Sequence, residues 1–185
     1  MDFINLVIIK FSNFFVDNEI LKLIVNNRFF LILLVIVLLK MKYATYSSMW
    51  LSALINIPGT ILHETMHFLV GLLLNAKPTS YDLIPHKSPD GDYIMGSVSF
   101  RNLNSYNAFP SSLAPLLLLP IGYMFNSWYF QNINISFFNY LGYILLQTII
   151  IENAVPSSQD FKVGFSYPLG LLFYITLGVL FIIAY

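Results

Sequence analysis

Between Arg101 and Glu152 the chain carries no charged side chain, and after Lys162 it carries none again. Apolar stretches of that length cannot cover the surface of a soluble domain, because nothing in them holds the surface in water. Charged residues make up 10% of the 185 residues and hydrophobic ones 57%, against about 25% charged in an ordinary soluble domain. This balance excludes a soluble globular enzyme, a disordered tail and a basic nucleic-acid binder. The class that remains is a multi-pass integral membrane protein, with the lipid bilayer as its main partner. The chain has no cysteine, which removes disulfides and thiolate metal sites.

Hydropathy predicts an all-α membrane protein, a bundle of about five transmembrane helices with a small β-hairpin at the membrane surface. It forms one integral membrane domain over 1–185. The spans fall at about 20–39, 46–74, 111–130, 137–151 and 168–185. In the second span, Pro58-Gly59 predicts a break or kink, since proline lacks the N–H and clashes with the preceding turn. Residues 75–108 differ in character. Ser80–Ile84 and Tyr93–Phe100 read as strands, with Pro89-Asp90-Gly91-Asp92 as the turn between them. The first residues do not read as a secretory signal, because Asp2 is early and no basic cluster precedes the apolar stretch. In the segment 1–19, Phe3, Leu6, Val7, Phe11, Phe14 and Phe15 recur at helical spacing. The segment is either an interfacial helix or a frayed apolar leader.

The chemistry concentrates in His63-Glu64-Thr65-Met66-His67, an H-E-x-x-H motif among the apolar residues Ile61, Leu62, Phe68, Leu69 and Val70. Residues four apart on a helix differ by about 40° in direction and about 6 Å in rise. Both imidazoles therefore reach one zinc ion, and Glu64 stands beside it as a general base. Three such side chains inside an apolar helix are costly unless paired or bound to metal. A third ligand is required to leave one open position. Position 73 is a leucine, so the extended motif with a third histidine is absent. Asp82, His86, Asp90, Asp92, Glu152 and Asp160 are the alternatives. Gly71, one turn after His67, is either an approach point for another helix or an ordinary membrane-helix glycine.

H-E-x-x-H in an apolar helix, then a surface β-element, a middle span and a span ending in Asn153-Ala154-Val155-Pro156 with Asp160 beyond, resembles the site-2 protease family of intramembrane zinc metalloproteases. The likeness covers about 46–165, which would be the metalloprotease core. It implies one Zn2+ ion bound by His63, His67 and Asp160, with Glu64 as base and Asn153 helping to hold the oxyanion. It also implies zinc-dependent cleavage of transmembrane segments of other membrane proteins. The family's late motif usually places the aspartate eight residues after the asparagine, with glycine following. Here the interval is seven, and Phe161 follows.

That divergence motivates an alternative, a catalytically inactive zinc-binding membrane protein that binds or regulates a partner. A transporter component using His63, Glu64 and His67 as an ion path ranks last, because no inverted repeat is visible. The hairpin either offers a strand edge to an unwound substrate or caps the cavity. Five alternating spans put Lys10, Lys22, Arg28, Lys77, Lys87, Arg101 and Lys162 on one side, and Lys40 and Lys42 on the other. The positive-inside bias then places the active site nearer the cytoplasmic side.

Overall fold

The computed structural model describes residues 28–87, 91 and 93–184, together with Ile4, Asn5, Ile8, Ile9 and Asn13. The reading of 1–19 as an interfacial segment therefore lies largely outside the described residues. So do Asn26, Asn27, Ser88, Pro89, Asp90 and Asp92.

Helix α1 (Arg28–Ala44) ends in a single 3-10 turn over Thr45–Ser47. Helix α2 (Met49–Leu73) begins at Ser48, whose hydroxyl accepts the N–H of Leu51. The assigned helix runs through Pro58 without a break, where the sequence suggested one. It stops at a Schellman motif: the N–H of Ala76 bonds the Gly71 carbonyl and that of Asn75 bonds Leu72. Asn75 takes the required left-handed conformation at φ 56°. Asn102 and Asn107 then stitch the following loop back onto this helix end. Their side-chain amides donate to the carbonyls of Asn75 and Leu74.

The predicted hairpin forms, as two short ladders. Strand β1 (Pro78–Asp82) pairs antiparallel with β4 (Ser97–Phe100), and β2 (His86–Lys87) with β3 (Tyr93–Ile94). The registers follow one another, so this is one ribbon interrupted at 83–85 and 95–96. Pro85, which has no N–H to give a ladder, lies in the interruption.

The third predicted span, 111–130, is broken. It consists of α3 (Ala108–Ser112), a 3-10 turn over Ala114–Leu117, and α4 (Leu118–Asn132). Pro115 is the cause, because it removes an N–H and clashes with the preceding turn. Helix α5 (Phe137–Glu152) is capped by the Ser136 hydroxyl. The short α6 (Ser158–Phe165) and the apolar α7 (Pro168–Ala184) complete the chain.

The molecule is mostly helical with a small β-element, as expected. Among the described residues, however, no single helix is both long and apolar enough to cross a membrane. Only α6 and α7 taken together pass that test, and they are bent by 93°. Helices α4 and α5, bounded at both ends, have 15 and 16 residues, or at most about 24 Å of rise against a hydrocarbon core of about 30 Å. Helix α2 is longer but carries the polar motif.

The best-buried aromatic cluster joins Tyr129 of α4 to Tyr140, Tyr143 and Ile144 of α5, with Leu34, Val35 and Leu38 of α1 against it. At the far end of α1, Lys42 forms an ion pair with Glu152 at 2.7 Å. Helices α1 and α5 thus run in the same direction with their C-terminal ends together. Strict alternation of five spans would put Lys42 and Glu152 on opposite sides, whereas here they touch.

Candidate metal centre

His63 and His67 lie on one face of α2, and their ring centroids are 4.8 Å apart. Each ring is oriented from behind. His63 Nδ1 donates to the backbone carbonyl of Asn153, and His67 Nδ1 to that of Ser111, both at 2.8 Å. A carbonyl only accepts, so Nδ1 carries a proton in both rings, and in the neutral ring Nε2 presents a lone pair.

Both carbonyls are free for a reason written in the sequence. In a continuous helix the Ser111 carbonyl would bond the N–H of residue 115, and position 115 is proline. Asn153 is the C-cap of α5. Its partners in a further turn would be Pro156, which has no N–H, and Ser157, whose N–H is bound to Asp160 Oδ2 at 2.6 Å. Two prolines thus create two orphan acceptors, and two histidines use them.

Asp160 is held by a capping box. Its N–H donates to the Ser157 hydroxyl, while its carboxylate accepts from the Ser157 N–H. The box turns the carboxylate toward α2. Asp160 Oδ2 lies 3.4 Å from His63 Nε2, Oδ1 lies 3.2 Å from His67 Nε2, and the two Nε2 atoms are 3.2 Å apart. Burial pushes the Asp160 carboxyl up, but hydrogen bonds from His63 and His67 when their Nε2 atoms carry protons, and from Ser157, outweigh it and hold the group well below the usual carboxylate range. It is therefore an anion at neutral pH.

These separations test whether a metal fits. Tetrahedral zinc with bonds of about 2.0–2.1 Å has ligand–ligand edges of about 3.3 Å. The two Nε2 atoms stand at about that separation, and Asp160 completes the triangle of side chains with Oδ2 toward His63 and Oδ1 toward His67, so the three groups surround one point. Two lone pairs and a carboxylate converging on one point repel one another if nothing lies between them. A single proton relieves one edge of the triangle, whereas a cation relieves all three. The donor set of two nitrogens and one oxygen suits zinc.

Glu64 is buried, 7% exposed, beneath the gap in the hairpin. A Cβ built on Gly96 would lie 2.9 Å from Glu64 Cγ and 2.6 Å from Thr60 Cγ2. Only glycine lets this backbone lie flat on the glutamate. Gly59 has a like role, since a Cβ there would overlap the Asn153 amide. Gly71 admits the ring of Phe100 from β4, so the element that approaches there is the hairpin and not another helix.

The remaining sequence candidates are elsewhere. Glu152 is taken by Lys42. Asp82 accepts the N–H of Ile84 in a local turn, and His86 is exposed on β2 with Nδ1 on the Ile84 carbonyl. Asn153 has a contact that its sequence role did not foresee. Its carbonyl orients His63, and its amide Nδ2 donates to the Ile149 carbonyl at 2.8 Å. Sequence reasoning missed Ser111, Ser157 and Gly96. Pro115 four residues after Ser111, and the S-x-x-D spacing of 157–160, were the available signals. Comparison with known protein families, with curated proteins and with solved structures yields no match.

Proposed function

We propose that this protein is a zinc-dependent intramembrane endopeptidase of the site-2 protease kind, acting on transmembrane segments of other membrane proteins. The observation that carries the reading is the convergence of two Nδ1-protonated histidines and the Asp160 carboxylate around one point, with Glu64 on the same helix. His63, His67 and Asp160 would hold the ion. Zinc at such a site acts as a Lewis acid on a carbonyl and makes water acidic near neutral pH.

The chain's own groups divide the remaining work. The Asn153 and Ser111 carbonyls keep both imidazoles in one tautomer and one orientation, so their lone pairs need no reorganisation. Glu64 takes the proton from the attacking water as its oxygen bonds to the peptide carbon, and gives it to the amine nitrogen as the C–N bond breaks. The second N–H of the Asn153 amide would be the donor to a developing oxyanion.

The membrane setting is part of the proposal. Leu73, Leu172, Ile182 and Ile183 are each at least 60% exposed, and 57% of the chain is hydrophobic. An apolar surface of this extent is stable against lipid or detergent. The active site would lie nearer the cytoplasmic side, with the hairpin over it.

A second reading, a zinc-holding scaffold without hydrolysis, is favoured by one observation: Asn153 already donates to Ile149. Purified protein in detergent, assayed for zinc and for cleavage of transmembrane peptides, separates the two. Zinc with cleavage that is lost in Glu64→Gln supports the peptidase. Zinc without cleavage in the unaltered protein supports the scaffold.

A further inference from the structure

The two ladders of the hairpin part over α2, and the space beneath the gap is an apolar pocket of about 150 Å³. Ala53, Ile57 and Thr60 form its α2 wall, and Leu83, Pro85 and Met95 its hairpin wall. Positions 50, 53, 57, 60 and 64 recur at helical spacing, so the pocket follows the face of α2 that carries Glu64. Thr60 is one turn before Glu64, about 6 Å along the axis. Met95 precedes the glycine whose backbone lies against Thr60 and Glu64. The pocket therefore ends one helical turn from Glu64 on the same face, with the Gly96 backbone beside both.

We infer that this pocket is the specificity pocket of the site, and that it takes one large apolar side chain of the substrate, of leucine or phenylalanine size. The inference rests on the peptidase reading above. A volume of about 150 Å³ is enough for a benzene-sized guest. An extended chain advances about 3.3 Å per residue, so a side chain entering at the Thr60 end of the pocket, one helical turn from Glu64, belongs to a residue about two from the scissile bond. Among the described residues no charged group lines the pocket, so a charged side chain there would be desolvated without a partner among them.

Two measurements test this on the full chain in detergent. The first compares cleavage of transmembrane peptides with leucine or alanine next to the cleaved bond. Leucine should be favoured at least about tenfold in kcat/KM. Ala53→Phe, which fills the pocket, should abolish the preference while alanine peptides are still cleaved. Met95→Ala, which enlarges it, should shift the preference toward tryptophan. The second needs no turnover. Trp50 also lines the pocket, and the only other tryptophan is Trp128. In a Glu64→Gln, Trp128→Phe protein, a peptide with p-bromophenylalanine scanned along it should quench Trp50 at one position, and Ala53→Phe should remove the quenching.

Quenching without cleavage by the unaltered protein supports the pocket and overturns the peptidase reading. Cleavage with equal preference for leucine and alanine, and with no quenching position, overturns the pocket and leaves the peptidase. Absence of both overturns both.

Discussion

An imidazole that gives its Nδ1 proton to a carbonyl has one remaining polar atom, and in this site two such atoms and a carboxylate share one point. Removing one member has unequal consequences for the others. Asp160→Ala deletes the only charged ligand, so zinc occupancy and activity should be lost together by metal analysis of the purified protein. Glu152→Ala should retain the metal, because Glu152 pairs with Lys42. Ser157→Ala removes the hydroxyl that caps α6 and with it half of the capping box. The variant should lose about 1 kcal/mol of stability and about tenfold or more in zinc affinity, measured by competition with a chelating dye. Glu64→Gln keeps the shape and removes the base; cleavage should fall at least about a hundredfold while zinc stays bound.

At the scale of elements, the centre depends on places where helices fail. Pro115 splits the third predicted span, and the break exposes the Ser111 carbonyl to His67. Pro115→Ala restores an N–H four residues after Ser111, which would compete with His67 for that carbonyl. Zinc affinity should fall by about 10- to 100-fold, and His67 should lose its fixed tautomer in the imidazole nitrogen resonances of NMR spectra. An unchanged affinity and tautomer would contradict the role given to this break. Such breaks also explain what the sequence revealed. The histidine pair was legible because a four-residue interval is local and helical geometry alone brings the rings together. Asp160 was legible through the family resemblance and through Pro156, which turns the chain back toward the bundle after the fourth predicted span; no periodicity relates it to α2. The Ser111 and Asn153 acceptors are backbone atoms and leave no side-chain pattern. Only the prolines after them mark the spot. The hairpin was legible in its alternation, but its interruption over Glu64 was not. That interruption depends on packing against Thr60, which is far away in sequence.

For the whole molecule, the least legible feature was the direction of α1. Hydropathy locates apolar helices but not which ends meet, and strict alternation separated two groups that in fact touch, Lys42 and Glu152. In vesicles, single cysteines at Met41 and Val155, both exposed, should react with an impermeant thiol reagent from the same side. Labelling from opposite sides would restore the alternating bundle and contradict the parallel packing of α1 and α5. The same placement accounts for the centre's position. The end of α5, tied to α1 by the ion pair, brings Asn153 to His63, and the turn after Pro156 brings Asp160 to both histidines. Zinc K-edge X-ray absorption on the detergent-purified protein tests this arrangement most directly. The account predicts one zinc per chain with two imidazole nitrogens and at least one oxygen at about 2.0–2.1 Å, and loss of that signal in His67→Ala. A protein that binds no zinc, or binds it with imidazole scattering unchanged in His67→Ala, would contradict the account.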